Sequence, residues 1–278
     1  MTALTGNYSG TNGSDVCPVC DGTGWELFWR DDREIYGGDK PVMIQWAKRC
    51  TVCRGVALAA EQRQKRATLP QAFYDTDMSF FKWDIYMDDQ GRPIDMSGRR
   101  ELVESFIKNY DAWSADGFGL YIWSAMSGSG KTFLASAITN TLIKKKRIKA
   151  KFVPVSELIN LEKTTEYGDP IKELCEVDLL VLDDLGATQS NSWLNDILFR
   201  IFDQRDQKQK STIVTSNVKI ANLYFDKRII GRLDANMQNI PLPDYCVRTH
   251  NAKERRRDML RSLGLMGKKE DQQMTLNI

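Results

Sequence analysis

The feature that most limits what this chain can fold into is a strand, a glycine-rich loop and a helix in immediate succession. Gly119-Leu-Tyr-Ile-Trp-Ser124 leads into Ala125-Met-Ser-Gly-Ser-Gly-Lys-Thr132, and an amphipathic stretch continues from Thr132 to Lys146. Gly128 and Gly130 let backbone N–H groups converge on phosphate oxygens, and the start of a helix adds partial positive charge there. In this pattern the Lys131 ammonium reaches the β- and γ-phosphates of a nucleotide, and the Thr132 hydroxyl ligates Mg²⁺. Ser127, Ser129 and Phe133 complete the run assigned to the nucleotide. Ala125 stands where the usual pattern has its first glycine, which narrows the backbone's freedom but removes no ligand.

A second piece fits the first. Asp178-Leu-Leu-Val-Leu-Asp-Asp184 is an apolar strand ending in two carboxylates. A buried parallel strand delivers such groups to the carboxyl edge of its sheet, where ligands of these folds bind. Asp183 is expected to hold Mg²⁺ through water, and Asp184 to orient or deprotonate the water that attacks the γ-phosphate. Ser211-Thr-Ile-Val-Thr-Ser-Asn217 is a further apolar strand, and Asn217 at its end either contacts that water or simply forms a turn. Ala150–Val155 and a weaker Ile240–Leu242 complete five strand-like runs. Amphipathic stretches at Ser156–Lys163, Ile171–Glu176, Trp193–Gln207 and Leu223–Met237 lie between them. Nearly continuous apolar strands separated by helices predict a doubly wound α/β domain, a parallel sheet covered on both faces.

The order and spacing of several pieces carry a resemblance. They are Leu69-Pro-Gln-Ala-Phe-Tyr74, Gly119-Leu-Tyr-Ile122, Val155-Ser-Glu-Leu158, Asp178 to Gly186, Phe202-Asp-Gln-Arg205, Ile213-Val-Thr-Ser-Asn217 and Arg228-Ile-Ile-Gly-Arg-Leu233. From about Leu69 to Arg248 the chain resembles the DnaC/DnaI-type loaders of replicative helicases, AAA+ P-loop ATPases that also include the transposition helper IstB. The resemblance implies a parallel five-stranded AAA+ sheet and slow, Mg²⁺-dependent ATP hydrolysis. It implies Asn217 as first sensor and Arg232 as an arginine finger reaching a neighbouring subunit's ATP, with Arg228 the next candidate. The family's Tyr-Arg-x-Arg reads here Tyr245-Cys-Val-Arg248, so Cys246 holds the usual second-sensor position and Arg248 alone remains. The residues beyond are too few for a large helical lid, as is usual in these loaders.

Cys17-Pro-Val-Cys20 and Cys50-Thr-Val-Cys53 form two Cys-x-x-Cys pairs, the spacing of a zinc knuckle. Between them, Trp25, Leu27 and Trp29 alternate, Gly37-Gly38 offers a turn, and Val42, Ile44 and Trp46 alternate back. That pattern predicts a β-hairpin. A module this small buries too little apolar surface to stand alone, so a Zn²⁺ held by Cys17, Cys20, Cys50 and Cys53 is expected to staple it. A redox dithiol is the competing reading, but it calls for one pair at a helix N-terminus rather than two pairs flanking a hairpin. The exposed aromatics among Trp25, Phe28, Trp29, Tyr36 and Trp46 stack on bases, dock a protein or pack a core. The resemblance implies that this module engages the helicase.

Composition excludes other chemistries. A single histidine, His250, leaves no Ser-His-Asp or His-rich metal site. No run is long and apolar enough to span a bilayer, and Met1 to Val16 has no apolar core of a signal peptide, so a cytoplasmic protein with no membrane partner is expected. A net charge of +2 gives no global field for nucleic acid. Local basic runs at Lys144–Lys151 and Lys253–Arg257 either cap helices as solvated faces or contact single-stranded DNA. The expected organisation is a disordered 1–16, a zinc module over 17–57, a linker over 58–98, the ATPase domain over 99–263 and a flexible tail over 264–278. The expected function is ATP-dependent loading of a hexameric, DnaB-type helicase onto single-stranded DNA, with self-association through the ATP site. The alternatives are an IstB-like transposition helper and an adaptor that binds ATP with little hydrolysis.

Overall fold

The computed structural model describes residues 19, 25–31, 43–51, 67–158, 170–187 and 191–263. Five parallel strands form the central sheet: β3 (Gly119–Trp123), β4 (Ala150–Pro154), β5 (Leu179–Leu185), β6 (Ser211–Ser216) and β7 (Met237–Pro241), in the order β4-β5-β6-β3-β7. The helices are α1 (Ser97–Lys108), α2 (Tyr110–Ala115), α3 (Lys131–Lys146), α4 (Pro170–Glu176), α5 (Ser192–Gln207), α6 (Lys227–Asn236) and α7 (Val247–Ser262). An N-terminal antiparallel hairpin pairs β1 (Trp25–Asp31) with β2 (Met43–Arg49). This is the parallel five-stranded α/β architecture that the strand pattern led us to expect.

Strand alternation sorts the core into two halves. Leu120, Ile122, Leu179 and Val181 face one side with Leu134, Ile138 and Leu142 of α3; Tyr121, Leu180 and Leu182 face the other with Leu194, Leu198 and Ile201 of α5. Helix α3 is buried almost all round from Leu134 to Ile143, because a third layer covers its outer side. That layer is the segment expected as a linker. Residues from Ala67 to Met96 pack into the same core, with Phe81, Tyr86 and Met96 buried. Asn140 Nδ2 reaches the carbonyls of Phe73, Tyr74 and Thr76 at 2.9, 3.2 and 2.8 Å, and Thr141 Oγ1 accepts from Met78 N. The described part of the linker therefore belongs structurally to the α/β unit.

Several element bounds differ from expectation for local reasons. The fifth strand begins at Met237, where exposed Gln238 and Asn239 on an edge strand conceal the apolar pattern. The helix expected from Leu223 begins at Lys227, because the Asp226 carboxylate caps it by accepting from Arg228 N at 2.8 Å. Val155–Glu157 is one 3-10 turn, and residues 159–163 of the helix expected there lie outside the described residues. In the hairpin, the register sets Phe28 opposite Trp46 and Trp29 opposite Gln45. Phe28 and Trp46 therefore share one face and Trp29 lies on the other, 63% exposed.

Candidate nucleotide-binding site

The loop after β3 is shaped by its glycines. Gly128 and Gly130 adopt φ of 79° and 99°, conformations that L side chains rarely take. A Cβ on Gly130 would sit 3.3 Å from the Tyr86 hydroxyl. That hydroxyl donates to Ser129 O at 2.8 Å, so the 67–96 layer grips the loop directly. Lys131 is buried at the first turn of α3, its Nζ donating to Ser124 O, Met126 O and Ser129 Oγ at 3.2, 2.9 and 3.3 Å. Burial pushes the Lys131 pKa down, while the carboxylates of Asp184, Asp183 and Asp244 act to raise it.

The β5 carboxylates meet this loop from across the sheet. Thr132 Oγ1 donates to Asp183 at 3.1 Å, and Thr215 Oγ1 donates to the same carboxylate at 2.6 Å. Burial raises the Asp183 pKa above the usual carboxylate value, opposed by the two threonine hydroxyls. Consecutive strand residues normally point to opposite faces. Here the β5–β6 register shifts between Leu182 and Leu185, and Asp184 has a φ of 65°. A left-handed non-glycine residue costs about 1–2 kcal/mol, a departure that clusters at functional sites. Its effect is to bring Asp184 into the same cavity as Lys131 and Thr132. Asn217 Nδ2 donates to Asp184 Oδ1 at 3.2 Å, whereas the buried Asn217 Oδ1 has no hydrogen-bond partner. An acceptor left unpaired beside a carboxylate is suited to a water molecule.

These groups line a cavity of about 630 Å³. Ser127, Gly128, Gly130, Lys131, Thr132, Phe133, Asp184, Asn217 and Arg248 are in its wall; Ser129 and Asp183 lie immediately behind it, through the bonds given above. Positive-φ glycines, a buried ammonium and a Thr–Asp pair fit a Mg²⁺-bound triphosphate. One end of the cavity was not legible as a site. Phe73, Phe81 and Tyr86 form an aromatic wall with Phe133, whose ring lies 5.4 Å from Phe73 and 6.0 Å from Phe81. Such a wall suits the flat face of a nucleobase. The opposite wall is α7, where Val247, Arg248, Asn251, Glu254, Arg255 and Asp258 fall on one helical stripe. Arg255, expected with a basic surface run, is thus in the cavity wall. Arg248 N donates to Gly128 O at 3.2 Å, fixing the start of α7 on the loop.

The two finger candidates lie elsewhere. Arg232 and Arg228 project from α6 and are not in the cavity wall. Arg232 pairs closely with Asp203, and Arg228 with Asp226 at 2.8 Å. Of the four zinc-candidate cysteines, only Cys50 is described, and it is buried; Cys17, Cys20 and Cys53 lie outside the described residues. Among the described residues no metal-ligand cluster occurs and no helix is long and apolar enough to cross a membrane.

Residues 122–228 match the family model described as IstB-like ATP binding protein. The chain is 24% identical over 207 residues to the replicative helicase loader DnaC of Escherichia coli (strain K12), covering 69% of this chain and 79% of DnaC. It is 32% identical over 119 residues to the replicative helicase loader DnaI of Bacillus subtilis (strain 168), covering 41% and 38% of the respective chains. Among solved structures it is similar to DnaI, with a TM-score of 0.52, 23% identity and coverage of 65% of this chain and 96% of that one. It is similar to the DnaC helicase loader with a TM-score of 0.50, 23% identity and coverage of 62% and 99%. At such identities the structural likeness speaks to the fold.

Proposed function

We propose that this chain, a relative of the DnaC and DnaI helicase loaders, is an ATP-switched loader that delivers a ring-shaped replicative helicase to single-stranded DNA. The observation that carries this reading is the 207-residue relationship to DnaC, together with a loop, carboxylate pair and cavity that fit a nucleotide. Lys131 and the loop amides would bind the phosphates, Thr132 and Asp183 would hold Mg²⁺, and Asp184 with Asn217 would orient water toward the γ-phosphate. A bound Mg²⁺ would supply neutralisation of charge on the β- and γ-oxygens. Arg248 is the second-sensor candidate from α7, and an α6 arginine would act on a neighbouring subunit's nucleotide. A cytoplasmic location accords with this role. Helicase capture tests the reading. The tagged chain with ATP should retain the replicative helicase from extract of its source cells and release it with ADP. Capture of a transposase in its place would support the IstB-like alternative.

The module over 17–57 is proposed to hold one Zn²⁺ on Cys17, Cys20, Cys50 and Cys53 and to grip the helicase. The hairpin register supports this, since Trp25 pairs with Arg49. Trp25, five residues after Cys20 in sequence, therefore lies at the end of the hairpin from which Cys50 leaves. Glu26 reinforces that end by accepting from Thr51 N and Oγ1, both at 2.7 Å; chiefly through that backbone bond its pKa falls to about 2. One zinc per chain is expected by elemental analysis. Cys50→Ser should lose the metal and helicase capture while leaving ATP affinity within about twofold, as ATP meets none of these residues. Metal-free protein with an intact helicase grip would refute the assignment.

A further inference from the structure

The connection between β7 and α7 wraps the root of the phosphate loop, and one of its side chains has no role in the pattern described so far. Leu242 N donates to Trp123 O at 2.8 Å, which brings the connection alongside the end of β3. Two residues later, Asp244 Oδ1 accepts from Ser124 Oγ at 2.9 Å and from Met126 N at 3.2 Å. Ser124 is fully buried, and its Oγ in turn accepts from Met126 N at 3.1 Å. The carbonyl of the same Met126 takes one of the three bonds from Lys131 Nζ. The Met126 residue is therefore held at both polar ends: its N–H by Asp244 and Ser124, its C=O by the lysine that must face the phosphates.

The place of this bond bears on a peculiarity of the sequence. Alanine stands at 125, where a phosphate loop usually has glycine, immediately before the clamped N–H. With that backbone freedom reduced, the turn out of β3 needs an external acceptor to fix its direction. A carboxylate is otherwise a poor neighbour for a triphosphate, since its charge opposes binding. Its presence here is accounted for by its oxygen serving as an acceptor for two donors at once.

We propose that Asp244 is a positioning residue for ATP binding, fixing the Ser124–Met126 turn through Oδ1 so that Lys131 and the loop amides meet the phosphates. The inference rests on the loop being an ATP site. It makes a prediction of sign that a merely stabilising ion would not. Asp244→Ala removes the acceptor and should weaken binding of Mg²⁺ and N-methylanthraniloyl-ATP about tenfold. Asp244→Asn keeps an acceptor oxygen and deletes the opposing charge, so it should bind as tightly as wild type or more tightly.

The test is a fluorescence titration of the full chain and its variants with that probe, alongside thermal unfolding. Ser124→Ala, which removes the second member of the clamp without altering the charge, gives an independent arm and should weaken binding severalfold. The double variant with Asp244→Ala should lose less than the product of the two single effects, because both act on one N–H. Asp244→Ala within twofold of wild type, or Asp244→Asn as weak as Asp244→Ala, would overturn the role of Asp244. Wild type that fails to bind the probe would overturn the ATP-site reading itself, and the two failures are distinct.

Discussion

Lys131→Ala is expected to abolish ATP binding, whereas Asp184→Asn is expected to keep binding and stop hydrolysis. The lysine is buried, with its Nζ anchored by Ser124 O, Met126 O and Ser129 Oγ, so its charge is fixed beside the loop rather than spread through solvent. A fixed unit charge about 4 Å from a phosphate oxygen is worth about 4 kcal/mol at the dielectric of a partly wet cleft. Losing it should raise the dissociation constant by about a thousandfold. Asp184 differs because Asp183 carries the contact to Thr132. Asparagine at 184 retains an oxygen toward Asn217 yet provides no base, and loss of general-base assistance is worth about 10²–10⁴ in rate. Fluorescence titration and phosphate release measure the two effects separately. Wild-type affinity in Lys131→Ala, or wild-type turnover in Asp184→Asn, would show that the cradle or the water-activating group had been misassigned.

Much of this site was legible because its chemistry is local in sequence. The Gly-Lys-Thr run and the paired aspartates each sit at the end of an apolar strand, and apolar strands can be recognised one at a time. The structure brings Thr132 at the start of α3 and Asp183 at the end of β5 into hydrogen bond, across the intervening β6. What was not legible depends on tertiary packing. Phe73, Phe81 and Tyr86 follow no helical or strand period, because 3-10 turns and extended segments carry them. Their meaning appears only when Asn140 ties that segment to α3. The α7 helix was hidden for a different reason. Its stripe facing the cavity is polar, and none of its residues is buried, so no apolar periodicity marks it.

That polar helix changes how the site is understood. A nucleotide held at the carboxyl edge of a sheet lies open unless other elements cover it. Here α7 forms one wall, attached to the loop by the Arg248 N to Gly128 O bond. The 67–96 layer forms the other, attached by Tyr86 to Ser129 O. The two attachments bond to the carbonyls of consecutive residues of one loop, and the Tyr86 and Tyr245 ring centroids lie 6.2 Å apart. A change in the loop on nucleotide binding is therefore felt at once by both walls. The layer bonded to the loop through Tyr86 is also the chain's covalent route toward the N-terminal hairpin, which would give the proposed ATP-dependent grip on a helicase a physical path.

Neither α6 arginine reaches the cavity of its own chain, so an arginine finger would have to act across a subunit boundary. Arg232 holds the family's position, but its guanidinium is paired with Asp203 on α5 and stacked 4.9 Å from the Phe199 ring centroid. Its side chain is 27% exposed, whereas that of Arg228 is 58% exposed, paired with its helix-capping Asp226 and itself 4.2 Å from the centroid of the same Phe199 ring. An ion pair this open to solvent is screened and weak, so Arg228 is the more readily released of the two. Releasing Arg232 means separating it from Asp203 in a less solvated setting. Resemblance therefore favours Arg232, and availability in the structure favours Arg228. An arginine supplied in trans is worth on the order of 10³ or more in hydrolysis rate. Whichever arginine is the finger, its alanine variant should bind ATP normally and lose turnover by about that factor. Mixing then assigns it. Lys131→Ala subunits bind no ATP but still donate a finger; finger-dead subunits bind ATP but donate none. In co-assembled mixtures, junctions pairing an intact loop with an intact finger should recover part of the rate. Recovery when Lys131→Ala is mixed with a turnover-dead Arg232→Ala assigns Arg232, and the corresponding result with Arg228→Ala assigns Arg228. Absence of recovery in both, with co-assembly demonstrated, would mean that each site is completed within a single chain.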